Sequence, residues 1–423
     1  MSDTRYICNG DCAHCKYARG DQYCNDGSEE SRFAHRIDKI ITNRWFGIPI
    51  LIVVLAAIFE LSFSLGAYPQ GWIERGVDFL ADRVRALPLP LWLGSLLADG
   101  VIQGCGAVIS FLPNIFILFF FLSLLEDSGF MARAAFLMDK FMHGIGLHGN
   151  SFIPMLLGFG CNVPAIMAAK GINNRKDRRL TMLMIPFMSC SARLPVYLLF
   201  AGAFFPHCRS LVMIGLYVAG IVLSILFAMV MKNTKWFRKS KNDDIFVLPG
   251  LRLPSAEVLW SHIWDRCKDY LQKITTVILA ASVVIWALEY FPTRDGGLPA
   301  AEDSSCLAHI GKWMEPAMAP LGFDWKMNVC ILTGLPAKEA IVSTMGILYH
   351  TEDEASLAVA LQQSGAIPPA AAMSFMLFVL LYFPCIATIN TLRKEIGRKW
   401  AVFSVVHSLL IAWVVAFLAF HIL

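Results

Sequence analysis

Charge is scarce in this sequence. Only 16% of its 423 residues are Asp, Glu, Lys or Arg, against about a quarter in an ordinary soluble domain. Hydrophobic residues make up 57%, and the mean hydropathy is +0.57. That balance excludes a soluble globular protein and predicts an all-α polytopic membrane protein. A phosphate loop of the form G-x-x-x-x-G-K-[ST] is missing as well, so this chain alone is expected to be no nucleotide-hydrolysing enzyme. NNRKD (173–177) resembles a guanine-reading motif only superficially; its spacing is wrong, and it reads as a basic loop. The first 44 residues lack the apolar core of a cleaved signal peptide, so none is expected. A net charge of +4 says little, and no nucleic-acid partner is expected.

Cysteine, by contrast, is plentiful: twelve residues, four of them within positions 8–24 and eight scattered. The scattered ones do not form the pattern of a secreted disulfide framework. Residues 1–31 read as a polar, Cys-rich cytoplasmic head and 32–104 as a basic lead-in, a first span at 47–66 and amphipathic surface helices that include WIERGVDFLADRVRAL. Residues 105–231 and 274–423 read as two repeats, joined by a basic cytoplasmic linker at 232–273. Further spans are expected near 105–125, 180–205, 211–231, 274–291, 372–390 and 401–422, about seven in all and eight if one interrupted segment crosses completely. Lipid is the expected surrounding.

Positive charge orients these spans. Arg32, Arg36, Lys39 and Arg44 precede the first span, Lys170 to Arg179 hold five basic residues, and Lys232 to Lys241 hold five more. Arg393, Lys394, Arg398 and Lys399 separate the last two spans, whereas loops 292–311 and 349–371 are poor in Lys and Arg and carry Glu302, Asp303, Glu352, Asp353 and Glu354. A cytoplasmic N-terminus puts every basic cluster inside. The interrupted segments 145–169 and 326–348 then dip in from opposite faces as re-entrant hairpins.

Two blocks carry a weak internal repeat. LLGFGCNVPAIMAAKG (156–171) precedes IPFMSCSARLPVYLLF (185–200), and ILTGLPAKEAIVSTMG (331–346) precedes LLYFPCIATINTLRKE (380–395). Each gives Gly, then Pro-Ala, a helical run, and an aromatic shortly before a cysteine in a Pro-containing span. Hairpins entering from opposite sides are what an inverted-topology repeat requires, and such repeats hold their substrate near the midplane at broken helices. Backbone broken at membrane depth persists only where it is packed in protein or lines a cavity.

Cys161, Cys190 and Cys385 each lie beside such a break. A buried cysteine is usually a small apolar filler, but three at related motif positions point to ligands. Thiolates suit soft or borderline metals, and a path mixing Cys with Glu and backbone carbonyls can hold a ferrous-type ion without trapping it. Glu339, next to Lys338 inside the second interrupted segment, is an acid at membrane depth and therefore a functional candidate; the plain alternative is that the pair sits at the interface and snorkels. Glu126 and Asp127 read as interfacial, Ser189, Ser191 and Asn162 as hydrogen-bonders for broken backbone, and Glu60 as an intramembrane acid without an assigned role. In the head, Cys8, Cys12, Cys15 and Cys24 are close enough in sequence for a zinc or iron–sulfur centre, although their spacing is diagnostic of neither. The Cys-x3-Cys-x2-Cys part resembles radical enzymes, but no barrel pattern follows it.

SLLEDSGFMARAAFLMDK (123–140), the stretch from GFGCNVPAIMAAKG through SCSARLPVYLLFAGAFFP (158–206), GLPAKEAIVSTMG (334–346) and LLYFPCIATI (380–389) together resemble the membrane region of the FeoB ferrous iron transporter family, over roughly residues 32–420. The resemblance implies two Gate domains, of a kind shared with nucleoside transporters, and Fe(II) transport across the bacterial inner membrane. By motif match Cys161, Cys190 and Cys385 correspond to cysteines proposed to line that family's iron path, and Glu339 falls in the second Gate motif. FeoB proteins usually begin with a GTP-binding domain and a helical spacer, where this sequence has its Cys-rich head. Coupling is then expected from a separate G protein or a small Feo-system partner, unless the chain is a GTP-independent permease. A homo-oligomer is compatible with the resemblance, and the head would receive, sense or pass on iron. Competing readings are a transporter of another divalent metal, a nucleoside-type transporter, and a membrane metal sensor or scaffold; three thiols argue against nucleosides.

Overall fold

Long apolar stretches of this kind satisfy their backbone polar groups internally as helices, because lipid offers no hydrogen-bond partner. The structure, a computed structural model, describes residues 44–110, 112–234, 236–237, 256–292, 304–351, 354–363 and 367–423. The Cys-rich head, the lead-in before residue 44 and the linker between 238 and 255 lie outside the described residues. Within them the chain is helical, with one isolated bridge between Pro292 and Ser305.

Helix α1 (Arg44–Arg85) runs for 42 residues through Pro49 and Pro69. The amphipathic segment expected to lie separately on a surface is instead its continuation. At 1.5 Å per residue α1 is about 63 Å long, roughly twice a hydrocarbon core of ~30 Å. A short helix α2 (Leu91–Ser95) passes through a π-helical stretch, Leu96–Gln103, into α3 (Gly104–Ser110). Helices α4 (Leu112–Asp127) and α5 (Phe130–Ile145) meet at a 78° bend, where Gly129 takes φ 77°, a backbone region that favours glycine. Glu126 and Asp127 close α4 at this bend.

Two similar arrangements follow. In the first, short helices α6 (Phe152–Leu157) and α7 (Asn162–Ala169) pack together as helix–break–helix. Next come α8 (Arg175–Met184) and α9 (Leu194–Phe204), two pieces of one interrupted segment, and the unbroken α10 (Arg209–Lys232). Helices α11 (Ala256–Tyr290) and α12 (Cys306–Met318) lead to the second arrangement. There α13 (Trp325–Thr333) and α14 (Ala340–Leu348) form the helix–break–helix. The Lys326 ammonium donates to the Leu348 carbonyl at 2.9 Å, so the two outer ends of that hairpin lie together. After α15 (Glu354–Gln363), α16 (Pro369–Leu381) and α17 (Ile386–Ile396) make the second interrupted segment and α18 (Arg398–Ile422) the unbroken one.

Among the described residues five stretches are long and apolar enough to cross a membrane, or six with the bent α4–α5 pair taken as one span. Seven to eight were expected. The difference lies at that bend and in α11, whose apolar part, Val277–Tyr290, is short for a crossing; residues 256–273 bring in Glu257, Asp265, Arg266, Lys268, Asp269 and Lys273.

Side chains are distributed inside out. Along α10, Leu211, Ile214, Val218, Val222, Leu226 and Val230 are exposed, whereas Gly220, Ser224 and Ala228 are buried. Along α18, Val402, Val406, Leu410, Val414 and Leu418 are exposed, whereas Ala401, Ser404, Ser408, Ala412 and Ala416 are buried. Continuous apolar stripes of this length are unstable in water, and small residues at helix contacts are how membrane helices approach closely. The Ser374 hydroxyl accordingly reaches the Ala416 carbonyl at 3.0 Å across the α16–α18 contact. A continuous buried cluster from Ile115 to Ala416 joins both arrangements.

Candidate functional site

The first break is written in LLGFGCNVPA. Helix α6 closes through Gly158, Phe159 and Gly160 turning back onto Pro154, Leu156 and Leu157 carbonyls. Cys161 then takes an extended conformation (φ −151°, ψ 133°) as N-cap of α7. Pro164 falls in the first turn of α7, where an amide would have no helical partner anyway. Gly160 is required by contact: a Cβ there would lie 2.5 Å from the Phe59 ring.

The second break follows Pro186. Met188 and Cys190 are extended, and Cys190 caps the 3-10 turn Ser191–Arg193 that opens α9. In the other half, α13 stops at Gly334 and Glu339 is the N-cap of α14. Tyr382 is extended after α16, and Cys385 (φ −55°, ψ 155°) caps α17.

Each half pins its two breaks together in the same way. The Ser191 amide donates to the Gly160 carbonyl at 3.3 Å, and the Ser191 hydroxyl donates to it at 3.0 Å. The Ile386 amide donates to the Leu335 carbonyl at 3.1 Å. In both cases the donor is the residue after the capping cysteine. Cys190 and Cys385 are thus counterparts in the two interrupted segments, while Cys161 and Glu339 each cap the second helix of a hairpin.

These four residues line one cavity of about 130 Å³. All four sit at helix N-termini, whose partial positive charge favours anionic groups, so thiolate and carboxylate ligands have compensating dipoles behind them. The Cys385 sulfur is 3.1 Å from the Thr388 hydroxyl. Ser62, Asn114 and Asn162 also line the cavity; their side-chain oxygens are buried without a protein hydrogen-bond partner, the Asn114 Oδ1 packing against Gly66 of α1. The contact of α7 with α17 puts the cavity on the seam between the halves.

Two cations complete the wall. Arg193 is fully buried and donates to the Met188 carbonyl at 3.0 Å, holding the second break in shape. Lys338 is 2% exposed and donates to the Phe383 carbonyl at 3.1 Å, so it is enclosed by protein. Arg193 and Asn114 were not among the expected site residues. A signal for Arg193 existed: SARLP places an arginine inside an apolar segment, where idle charge is costly. Asn114 carried none, because only the fold brings α4 to the cavity. Ser189 donates to the Tyr197 hydroxyl at 3.2 Å, and Glu60 is exposed and accepts from Ser64 at 3.2 Å. Cys8, Cys12, Cys15 and Cys24 lie outside the described residues.

Comparison with known proteins gives two family matches. Gate, described as nucleoside recognition, matches residues 108–204 and 271–399, more than half of the chain. The family described as ferrous iron transport protein B C terminus matches residues 213–266. A Porphyromonas gingivalis protein named Fe(2+) transport protein A/Fe(2+) transporter FeoB fusion protein is 43% identical over 92% of this chain and 51% of its own length. The Fe(2+) transporter FeoB of Campylobacter jejuni is 40% identical over 93% of this chain and 66% of its own. That of Staphylococcus aureus strain MSSA476 is 42% identical, over 93% and 60% respectively. The chain therefore spans about half to two thirds of the length of these relatives. No solved structure matches it. With matches of this extent, placed on the helices that build the cavity, the chain belongs to the FeoB family.

Proposed function

We propose that this chain carries Fe(II) across the bacterial inner membrane, with its N-terminus in the cytoplasm and the ion passing through the cavity between its halves. The observation that carries the reading is the convergence of Cys161, Cys190, Cys385 and Glu339, four residues from distant parts of the sequence, on one cavity wall. Three sulfurs and a carboxylate make a borderline ligand set suited to a first-row divalent ion. Relatives named as Fe(2+) transporters single out iron from that class.

A nucleoside is disfavoured, since none of the residues lining the cavity is aromatic and small-molecule pockets usually reach about 300–1,000 Å³ with aromatic walls. Coupling to GTP, on this reading, comes from a separate G protein, and the head cysteines hold or hand over metal on the cytoplasmic side.

Reconstitution into proteoliposomes under reducing conditions, comparing Fe(II), Mn(II) and Zn(II), tests the proposal. Fe(II) flux should exceed the others, and Cys161→Ser or Cys190→Ser should lower it about tenfold or more, in line with the cost of weakening a metal site. Undiminished flux in both variants, in correctly inserted protein, would remove the thiol path. Higher flux of Mn(II) or Zn(II) would reassign the cargo.

A further inference from the structure

A second group of metal-ligating side chains stands apart from the cavity. Asp139 and His143 are one turn apart at the end of α5, and His148 lies in the loop before the first hairpin. One ligand atom from each of the three comes within 4.8 Å of the others. The His143 Nδ1 is 3.2 Å from the Asp139 Oδ1, and the rings of His143 and His148 are 5.1 Å apart, edge to face. Asp177, in the first turn of α8, brings its Oδ2 to 3.3 Å from the His148 Nε2. None of these four residues lines the thiol cavity.

We infer that Asp139, His143 and His148, with Asp177 alongside, form a binding site for a divalent first-row transition metal at the base of the first hairpin. The distances carry the inference. Metal–nitrogen and metal–oxygen bonds of about 2.0–2.2 Å put neighbouring ligands roughly 2.9–3.6 Å apart, and both measured N···O separations fall in that interval, the His143 Nδ1 having to exchange its 3.1 Å contact with the Asp139 main-chain carbonyl for the ion. Two imidazoles with carboxylate is a ligand set that suits ferrous, zinc or cobaltous ions and leaves positions open for water.

The supporting shell is in place too. The Gly149 amide donates to the Asp139 Oδ1 at 2.8 Å, fixing the carboxylate as outer hydrogen bonds do around bound metals. The side chains are accessible to an incoming ion, His143 being 44% exposed and His148 15%. Position gives the site its meaning: His148 precedes the hairpin, Asp177 follows it, and Asp139 and His143 belong to the neighbouring helix. A bound ion ties both ends of the hairpin that carries Cys161 to α5. The site needs no assumption about what crosses the cavity.

Co(II) is the probe of choice, because its visible absorption reports the ligand set directly. The full-length chain in detergent would be titrated with Co(II), once unmodified and once with Cys8, Cys12, Cys15, Cys24, Cys161, Cys190 and Cys385 changed to Ser to remove sulfur ligation. Both should bind an ion with the weak visible bands of nitrogen and oxygen ligands, at one per chain in the Ser background. His143→Ala and His148→Ala should each weaken that binding at least tenfold. Asp139→Asn, which keeps the oxygen that accepts from Gly149, should do the same while leaving the metal-free melting temperature unchanged. Absence of stoichiometric Co(II) in the Ser background, or titrations of both histidine variants that overlay the parent, would overturn the assignment. Loss of thiol variants' transport would leave it standing, so the two proposals fail separately.

Discussion

The Lys338 ammonium lies 3.2 Å from the centre of the Tyr382 ring and donates to the Phe383 carbonyl at 3.1 Å. A single cation thus ties the hairpin break beside Glu339 to the break beside Cys385. Cation–π contact strengthens where water is excluded, and a hydrogen bond from a charged donor is worth about 1.5–3 kcal/mol. Lys338→Met should therefore lower the stability of the purified protein by about 2 kcal/mol, read as a fall in melting temperature, and reduce Fe(II) flux. Lys338→Arg should retain most of both. Identical melting of the wild type and the Met variant would show that the tie is idle.

Protons compete for the cavity. Thiols bind a metal as thiolates and a carboxylate binds it ionised, so loading the site releases protons. The sign follows: Fe(II) binding and flux should rise as pH increases from about 6 to about 8, and fall on acidification. The initial uptake rate measured with the same pH on both sides of the membrane checks this. A rate that is flat with pH, or higher in acid, would argue against deprotonated sulfur ligands.

Gly160 and Ser191 allow a graded test of the pinned breaks. A methyl at position 160 would press on the Phe59 ring, and overpacking of this kind costs about 1–3 kcal/mol. Ser191→Ala removes the side-chain bond to Gly160 but leaves the amide bond in place, a loss of about 0.5–1.5 kcal/mol. Gly160→Ala should hence be the more damaging in thermal melts, and Phe59→Leu should relieve it. No relief by the second substitution would place the strain elsewhere.

Cys161 and Cys385 belong to opposite halves yet line the same cavity. If one ion touches both, their removal is not independent, because groups sharing a partner couple. The Cys161→Ser/Cys385→Ser double variant should lose clearly less Fe(II) flux than the product of the two single losses. Multiplicative losses would mean that the two thiols serve separate ions or steps.

Much of this arrangement is legible in the sequence, and the residues show why. Gly160, Pro186 and Pro384 weaken helices wherever they occur, so the breaks beside Cys161, Cys190 and Cys385 are local facts that a linear reading detects. Pro69 warns against the same inference: the helix runs straight through it, since one missing amide bond is tolerable where flanking turns are stable. The meeting of the four caps depends on packing between the two halves, with Cys161 and Cys385 at the extremes of the sequence range, which no local pattern encodes. For the same reason the interior position of Lys338 was open, as a lysine beside a glutamate also suits an interface. Apolar length alone reveals neither the bend at Gly129 nor the short apolar part of α11, which is where the expected spans and the long apolar helices of the described residues differ.

Cys161 and Cys190 are carried by one half of the molecule, Glu339 and Cys385 by the other. An ion held among them, as proposed above, would take two of its four contacts from each half, while one continuous core joins the two. Were the halves to shift against each other, such an ion would lose the two contacts of one half together, and its release would be as abrupt as the opening of a pair of tweezers.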